Sequence, residues 1–482
     1  MGQMRFFAPD PSRVSQWAVE RAYLAGMEGI PWRRRVDWRD GALTLTRELP
    51  DSGNLYIPWD VAEFGQLVVS TASLREREEP YHLPLELARG TLNRVRNQSA
   101  DWSQAGMELT TVFQKHLTRA TKLFVDAATQ YLEAPDRAAE LAEQSMTASY
   151  RAIEKLAANY AEQSLHYRRQ QNVRLATLLA ATLNDIPSEA AGERFAAAFN
   201  SAVIPLSWRD IEKNAGEFVW DRYDKLIEWC HTRGIRTCGG PLLRLDAGCL
   251  PDWLYLYEGD AEQITNCAMQ FVRAAATRYA GKMHVWHAAA RLNSSDELSL
   301  DEGKRLELGV RAIDVLRQAD QQAPVVLSFD QPWAEYLADE DLDYTPMHFA
   351  DALVRTDLGA GGIGIEINLG YWPGTLPRDL LEISRQIDRW SLLGLPLLVL
   401  LTAPSRASGP KNGHPQAVRA SQELVRDLLP VLLAKSYVHG IVWNQLRDDS
   451  PAGMPHGGLF GDDDTCKELL DDLTELRRDN LS

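Results

Sequence analysis

Short apolar runs alternate with amphipathic helical stretches over the second part of the chain. The apolar runs are "VRLATLLAATL", "SAVIPLSW", "IRTCGGPLLRL", "KMHVWHAAA", "PVVLSFD", "GIGIEINLG", "LPLLVLLTAP" and "VHGIVWNQL". Helical patterns between them include 220–232, 261–279, 300–319, 377–392 and 415–435. Eight buried strands, each followed by a helix, predict a closed (β/α)8 TIM barrel over residues 172–482.

A doubly wound open sheet is the alternative arrangement of alternating strands and helices. Such a sheet usually has fewer strands and a glycine-rich phosphate turn after the first one. The segment after the first run, "LAATLNDIPSEAAG", contains no such turn. The pattern therefore favours the barrel.

Two further regions precede the predicted barrel. Residues 1–80 contain the strand-like runs "ALTLTREL", "NLYIPW" and "GQLVVSTAS", separated by Asp-Gly and Asp-Ser-Gly turns, which predict a small β-rich module. Residues 81–171 have a helical pattern broken near Ala134-Pro135-Asp136, which predicts two long helices in a hairpin packed on the barrel. Three roles remain open for the β-rich module: an accessory sugar-binding domain, a lid, or a contact between copies in a homo-oligomer.

Composition narrows the classes of partner. The 482 residues carry a formal net charge of −16, which argues against a nucleic-acid partner because such proteins usually present a basic face. No apolar stretch approaches the length of a membrane span, and the first residues lack the apolar core of a secretory signal. Five cysteines without a C-x-x-C pair fit reduced thiols. We therefore expect a cytoplasmic protein with no membrane partner.

Polar and aromatic side chains follow the predicted strands. Because the chemistry of a TIM barrel lies at the C-terminal ends of its strands, these residues form the candidate site. They are Trp208, Arg244, Asp246, His287, Arg291, Asp330, Glu366, Asn368, Trp372, Trp443, Asn444, Gln445 and Asp448. Aromatic faces combined with amides, carboxylates and arginines suit a polyhydroxylated ligand. For any single tryptophan, packing at the barrel edge is the alternative interpretation.

Several motifs resemble family 10 of the glycoside hydrolases, the xylanases. Segment 207–236 has Trp208, Glu212, Gly216 and Phe218 at the family's spacing. "CLPDWL" is similar to the Leu-Pro-x-Trp after the family's third strand, and "YAGKMHVW", "GGIGIEINL" and "VHGIVWNQLRDD" resemble its fourth, sixth and eighth strands. The resemblance covers about residues 172–480 and implies a retaining glycosidase barrel that binds an oligosaccharide at its rim.

The chain departs from this family where the catalytic acids are expected. The resemblance places Arg291 at the acid/base glutamate, and Leu401 or Thr402 at the nucleophilic glutamate. Arginine cannot donate a proton near neutral pH, and hydrolysis with retention needs two carboxyl groups. The family's Asn-Glu-x-Lys-Trp on strand two is here Ile204–Trp208. The resemblance therefore implies that hydrolysis, if present, uses other acids.

Two hypotheses follow from this departure. In the first, the barrel is a glycoside hydrolase with relocated acids, for which Glu366, Asp246 and Asp330 are the catalytic candidates and Asp448 a further partner. In the second, it is a non-catalytic sugar-binding or scaffold protein. Arg291 then pairs with a bound carboxylate such as a uronate, or with Glu366 of the chain itself.

No metal or other cofactor is expected. His284, His287, His439 and His456 lie on strands or loops without H-x-x-x-H spacing. The acidic run "GDDDT" at 461–465 is better explained as an N-terminal cap of the last helix than as a calcium site.

Overall fold

The structure is a computed structural model. It describes residues 2–48, 50–171, 174–294, 297–371, 373–405, 421–449, 453–462 and 464–481.

Two small sheets make up the N-terminal module. Its elements are β1 (Gly2–Phe7), α1 (Gln16–Arg21), β2 (Tyr23–Ala25), β3 (Arg35–Arg39), β4 (Ala42–Arg47), β5 (Asn54–Val61), β6 (Gly65–Ser70) and β7 (Tyr81–His82). One sheet has the order β3-β4-β1-β7 and the other β2-β5-β6. Buried and exposed positions alternate along β1, as expected for a strand with one face on the core.

Three helices connect this module to the barrel, not the predicted two. They are α2 (Leu83–Gln104), α3 (Thr111–Gln130) and α4 (Pro135–Gln171). The predicted break before Pro135 is present, but a second turn at 105–110 was missed. There Gly106 adopts a φ of 101°, and the Thr110 hydroxyl accepts a hydrogen bond from Phe113 N at 3.3 Å. This turn is so short that helical periodicity continues on both sides of it.

Helix α2 lies unusually close to β6. A Cβ atom on Gly90 would lie 2.0 Å from the carbonyl oxygen of Ser70, so only glycine allows this approach. The close contact places one face of α2 next to the end of β6.

The remaining chain forms a closed parallel barrel, and this confirms the predicted fold. Its strands are β8 (Leu178–Thr182), β9 (Ser201–Ile204), β10 (Arg236–Gly239), β11 (Leu243–Arg244), β12 (Val285–Ala290), β13 (Val325–Phe329), β14 (Ala360–Asn368), β15 (Leu397–Thr402) and β16 (Val438–Trp443). Segments β10 and β11 both pair with β12, so they are two parts of the third of eight barrel strands. Pairing of β8 with β9 and β16 completes the circle.

Helices surround the barrel on the outside. They are α5 (Glu189–Ala198), α6 (Trp208–Ile211), α7 (Asp221–Thr232), α8 (Ala261–Tyr279), α9 (Glu302–Ala319), α10 (Pro346–Val354), α11 (Leu380–Ser391), α12 (Ser421–Ala434) and α13 (Glu468–Asn480). The barrel interior is filled by a compact cluster that includes Val203, Val285, Val326, Leu400 and Val442, so the barrel has a packed core.

A buried hydrogen bond joins the N-terminal module to the barrel, and an ion pair joins α2 to it. Arg378, which follows β14, donates to Glu335 Oε1 at 2.6 Å and to the Tyr23 hydroxyl at 2.9 Å. On α2, Arg94 Nη2 lies 2.8 Å from Asp379 Oδ2. The module therefore sits against the loops that follow β13 and β14, at the C-terminal end of the barrel. The predicted boundaries at 80 and 171 remain predictions.

Candidate functional site

Three polar side chains line the inner face of neighbouring strands at the C-terminal end of the barrel. Ser328 on β13 donates a hydrogen bond to Glu366 Oε1 on β14 at 2.7 Å. Since a serine hydroxyl has a single hydrogen, it accepts at the same time from His287 Nε2 on β12, at 3.0 Å. Burial lowers the pKa of His287 to about 4, although the charge of Glu366 opposes this. His287 is therefore a neutral donor near pH 7.

Two arginines and two carboxylates alternate above this row. Arg291 Nε donates to Glu366 Oε2 at 2.7 Å, and Arg291 Nη1 lies 4.0 Å from Asp246 Oδ2. Arg244 Nε donates to the same Asp246 oxygen at 2.8 Å. Arg291 reaches this position from the left-handed backbone region, with a φ of 59°. The candidate residues at the ends of strands three, four and six thus form one charged network.

Glu366 is held in its charged form. Burial alone would raise its pKa, but the charges of Arg291 and Arg244 and the hydrogen bond from Ser328 outweigh burial and lower the pKa to about 2. Both carboxylate oxygens accept hydrogen bonds, and the residue is only 3% exposed. It is an anion at all physiological pH values.

The pKa of Asp330 is shifted in the opposite direction from that of Glu366. Burial raises its pKa to about 6, with Arg291 opposing the shift and Glu366 adding to it. Its Oδ1 accepts from Asn368 Nδ2 at 3.3 Å, and Asn368 Oδ1 accepts from Asn444 Nδ2 at 3.3 Å. The polar residues that end strands five, six and eight therefore form a second chain of contacts next to the charged network.

Several other predicted ligand-binding residues serve the fold. Trp208 is buried and stacks on Phe271, with ring centroids 5.3 Å apart, while its indole nitrogen donates to Glu212 Oε2 at 2.7 Å. Trp443 is also buried and donates to the carbonyl of Gly457 at 2.9 Å. Neither ring has an open face for a sugar. The burial of both rings is the packing that was given as the alternative interpretation for a single tryptophan.

The remaining candidates form a hydrogen bond and an ion pair within the segment that follows β16. Gln445 Nε2 donates to the carbonyl of Met454 at 2.8 Å. Lys467 Nζ donates to both oxygens of Asp448, at 2.7 and 2.8 Å. Asp448 therefore has a cationic partner apart from the rim network. Trp372 lies outside the described residues.

Two residues of this region were missed in the sequence. Ser328 joins His287 to Glu366, and Asn293 holds Asp330 by its backbone, with Asn293 Nδ2 donating to the Asp330 carbonyl at 3.0 Å. For Ser328 a signal was present: it is the single polar residue inside "PVVLSF", two positions before Asp330 and on the same face of the strand.

The described residues of the acidic run 461–465 do not supply the N-cap of the last helix, contrary to the prediction. Helix α13 begins at Glu468, and its N-cap residue Lys467 makes no side-chain capping bond. Asp464 instead forms an ion pair with Arg447, whose Nη2 also donates to the carbonyl of Asp462 at 3.0 Å. Arg447, which follows β16, thus binds two residues of the run that was expected to cap the helix.

The described residues form neither a metal-ligand cluster nor a membrane-spanning helix. Among the described residues, no group of three or more His, Cys, Asp or Glu side chains is placed to hold a metal ion. Every helix in the described part of the chain is too short or too polar to cross a lipid bilayer.

Comparison with known proteins supports the predicted resemblance. The family model described as glycosyl hydrolase family 10 matches residues 167–296, which include strands β8 to β12 and end before β13. No curated protein sequence matches the chain. The motif parallels on strands six to eight lie outside the matched residues and remain predictions.

A solved xylanase structure shares the fold, and two further xylanase structures are similar to this chain. Xylanase 10B from Thermotoga maritima has 14% identity and a TM-score of 0.50, and the alignment covers 64% of this chain and 97% of that one. Xylanase 10B from Thermotoga petrophila, in complex with xylobiose, has 14% identity and a TM-score of 0.49, with coverage of 67% and 97%. The family 10 xylanase from Thermobacillus composti has 19% identity and a TM-score of 0.47, with coverage of 62% and 96%.

Proposed function

We propose that the barrel rim binds a carbohydrate without hydrolysing it by the route of family 10 xylanases. The observation that carries this proposal is the ion pair between Arg291 and Glu366. Arg291 stands where the motif resemblance expects the proton donor. A guanidinium cannot supply a proton to a leaving group near neutral pH.

Glu366 does not replace the missing acid in this proposal. A carboxyl group with a pKa of about 2 carries no proton to donate at physiological pH, and its two oxygens already accept from Arg291 and Ser328. Asp246 Oδ2 is in turn the acceptor of a hydrogen bond from Arg244 Nε at 2.8 Å. In this proposal Glu366 and Asp246 serve as ion-pair partners of the two arginines and do not transfer protons.

A neutral sugar suits this rim better than a uronate. The charge of Arg291 is met by Glu366, and that of Arg244 by Asp246, so a ligand carboxylate would have to displace an existing partner. The partly exposed Asn444, whose Nδ2 donates to Asn368 Oδ1, remains at this rim to bond hydroxyl groups. We also propose a cytoplasmic location, supported by five cysteines that are all free thiols.

Hydrolysis with Asp330 as general acid is the second candidate function. It is favoured by the split between the pKa of Asp330, about 6, and that of Glu366, about 2, since one group is then an acid and the other a base near pH 6. Asp246 is the other candidate base. This enzyme would lose activity as the pH rises above about 6, because Asp330 would lose its proton.

The test combines binding and turnover on the full chain. Titration calorimetry and a reducing-sugar assay are run with xylotriose, cellotriose and glucuronic acid, on wild type, Asp330→Asn and Glu366→Gln. Asp37→Asn on the exposed strand β3 is the control. Binding of a trisaccharide without turnover supports the proposal. Turnover that Asp330→Asn abolishes would establish the second candidate in its place. If no sugar binds and none is cleaved, the carbohydrate function is wrong.

A further inference from the structure

A large cavity lies between the N-terminal module, helix α2 and the barrel. Its volume is about 710 Å³, within the usual range of about 300–1,000 Å³ for small-molecule sites. Its walls come from the segment after β2, the ends of β5 and β6, one face of α2, the loop after β13, and helix α11. Asp246, Asp330 and Glu366 are not among its lining residues, so it is distinct from the rim network.

Helix α2 presents a polar stripe to this cavity. The lining residues of α2 are Gly90, Asn93, Arg94, Asn97, Gln98 and Asp101, which recur at the three- and four-residue spacing of one helical face. Within the described parts of the chain, the amides of Asn93, Asn97 and Gln98 have no protein hydrogen-bond partner. Each amide offers donors and an acceptor toward the cavity.

The charges on the cavity wall balance. Three arginines and three acids line it: Arg94, Arg385, Arg389, Glu28, Asp101 and Glu382. The buried Arg94 is already paired with Asp379 at 2.8 Å and with Glu382 at 3.4 Å. Glu382 accepts in addition from Trp333 Nε1 at 3.2 Å. A ligand with a net charge would therefore gain little from this wall.

Aromatic rings at the cavity are already engaged by protein groups. Arg378 lies over the ring of Trp333, 4.5 Å from its centroid, and Tyr56 stacks on Tyr23 with centroids 5.0 Å apart. Recognition in the cavity would thus rest on hydrogen bonds more than on stacking. A neutral ligand with many hydroxyl groups matches amides and hydroxyls at this density.

We propose that this junction cavity is a second binding site, separate from the rim, for a neutral saccharide of one to three units. The site exists only when the N-terminal module and α2 are docked on the barrel, because each of them supplies one wall. The unpaired amides of α2 provide the main hydrogen bonds to the ligand. The proposal goes beyond the proposed rim function and stands without it.

Hydrogen-exchange mass spectrometry of the full chain tests the proposal, because it shows which peptides a bound ligand protects. The probes are xylobiose, cellobiose and inorganic phosphate. At a disaccharide concentration twice the Kd, we expect peptides covering 93–101 and 382–389 to exchange about threefold more slowly. Asn97→Trp replaces one amide of the polar stripe by a bulky ring, and we expect it to remove this protection. Ala100→Trp, an exposed position of α2 that does not line the cavity, retains it.

Three outcomes would overturn the proposal. It is wrong if neither disaccharide protects these peptides, if Asn97→Trp is protected like wild type, or if only phosphate protects them. Should Asn97→Trp fail to fold, the double variant Asn93→Ala with Asn97→Ala is measured, and we expect affinity to fall about tenfold or more. Protection of residues 286–294 would report ligand binding at the rim. If the rim binds no sugar, these residues stay unprotected, and the result for the junction cavity is unaffected.

Discussion

Arg291 Nε lies 2.7 Å from Glu366 Oε2, and this ion pair connects the ends of β12 and β14 across the intervening strand β13. Ser328 of β13 contacts the other oxygen of the same carboxylate. The position at which the motif resemblance expects a proton donor is thus part of a fixed charge network.

Replacing Arg291 with an uncharged residue should destabilise the fold. Arg291→Met leaves Glu366 buried beside Ser328 without its main partner, so we expect a loss of about 3–5 kcal/mol in unfolding free energy. Urea unfolding followed by circular dichroism measures it. Arg311→Met, which breaks the exposed pair with Glu307, should change stability little. The double variant Arg291→Met with Glu366→Leu should recover much of the loss, and a stable single variant would contradict this account.

Asp330 should make stability depend on pH. Its pKa rises from 3.8 to about 6 on folding because it is buried. The folded state therefore binds this proton more tightly, and the resulting stabilisation is present below about pH 4 and is lost as the pH rises to about 6. Asp330→Asn removes this dependence, so its Tm relative to wild type should increase between pH 4 and 6. A constant Tm difference between Asp330→Asn and wild type across that window would rule out the raised pKa.

Two glycine substitutions should have opposite effects. Gly90→Ala forces α2 away from the Ser70 carbonyl, and we expect a fall in Tm of several degrees together with weaker binding at the junction cavity. Gly303→Ala lies in the exposed first turn of α9, where the new Cβ meets only the Asp301 side chain at 3.3 Å. It should raise Tm slightly through helix propensity. Thermal melts of both variants make the comparison.

Trp208 should matter for stability and not for sugar binding. Trp208→Ala opens a cavity against Phe271 and leaves Glu212 without the indole donor, so we expect a loss of about 3–5 kcal/mol. Titration with xylotriose below the melting temperature should give an unchanged affinity. A large loss of affinity in a folded Trp208→Phe variant would instead show that this ring contacts the ligand.

Much of the fold could be predicted because its determinants are local. The apolar runs and the helices between them depend on periodicity over ten to twenty residues. The polar residues at strand ends were also visible, since a strand that ends in Asp330 or Glu366 departs from its apolar pattern. The second turn near Gly106 escaped because helical periodicity is the same on both sides of a short break. Ser328 escaped because one hydroxyl inside an apolar strand is compatible with simple burial.

The sequence by itself determined the alternation of strands and helices in the barrel and the rim positions of Arg244, Asp246, Arg291, Asp330 and Glu366. Only the tertiary structure decided which of them pair. Arg291 and Glu366 are 75 residues apart, and they meet because barrel closure sets the register of β12, β13 and β14. The same reason applies to Trp208, whose direction from its strand end decides between packing and ligand contact, and to the junction cavity, whose walls come from three distant parts of the chain.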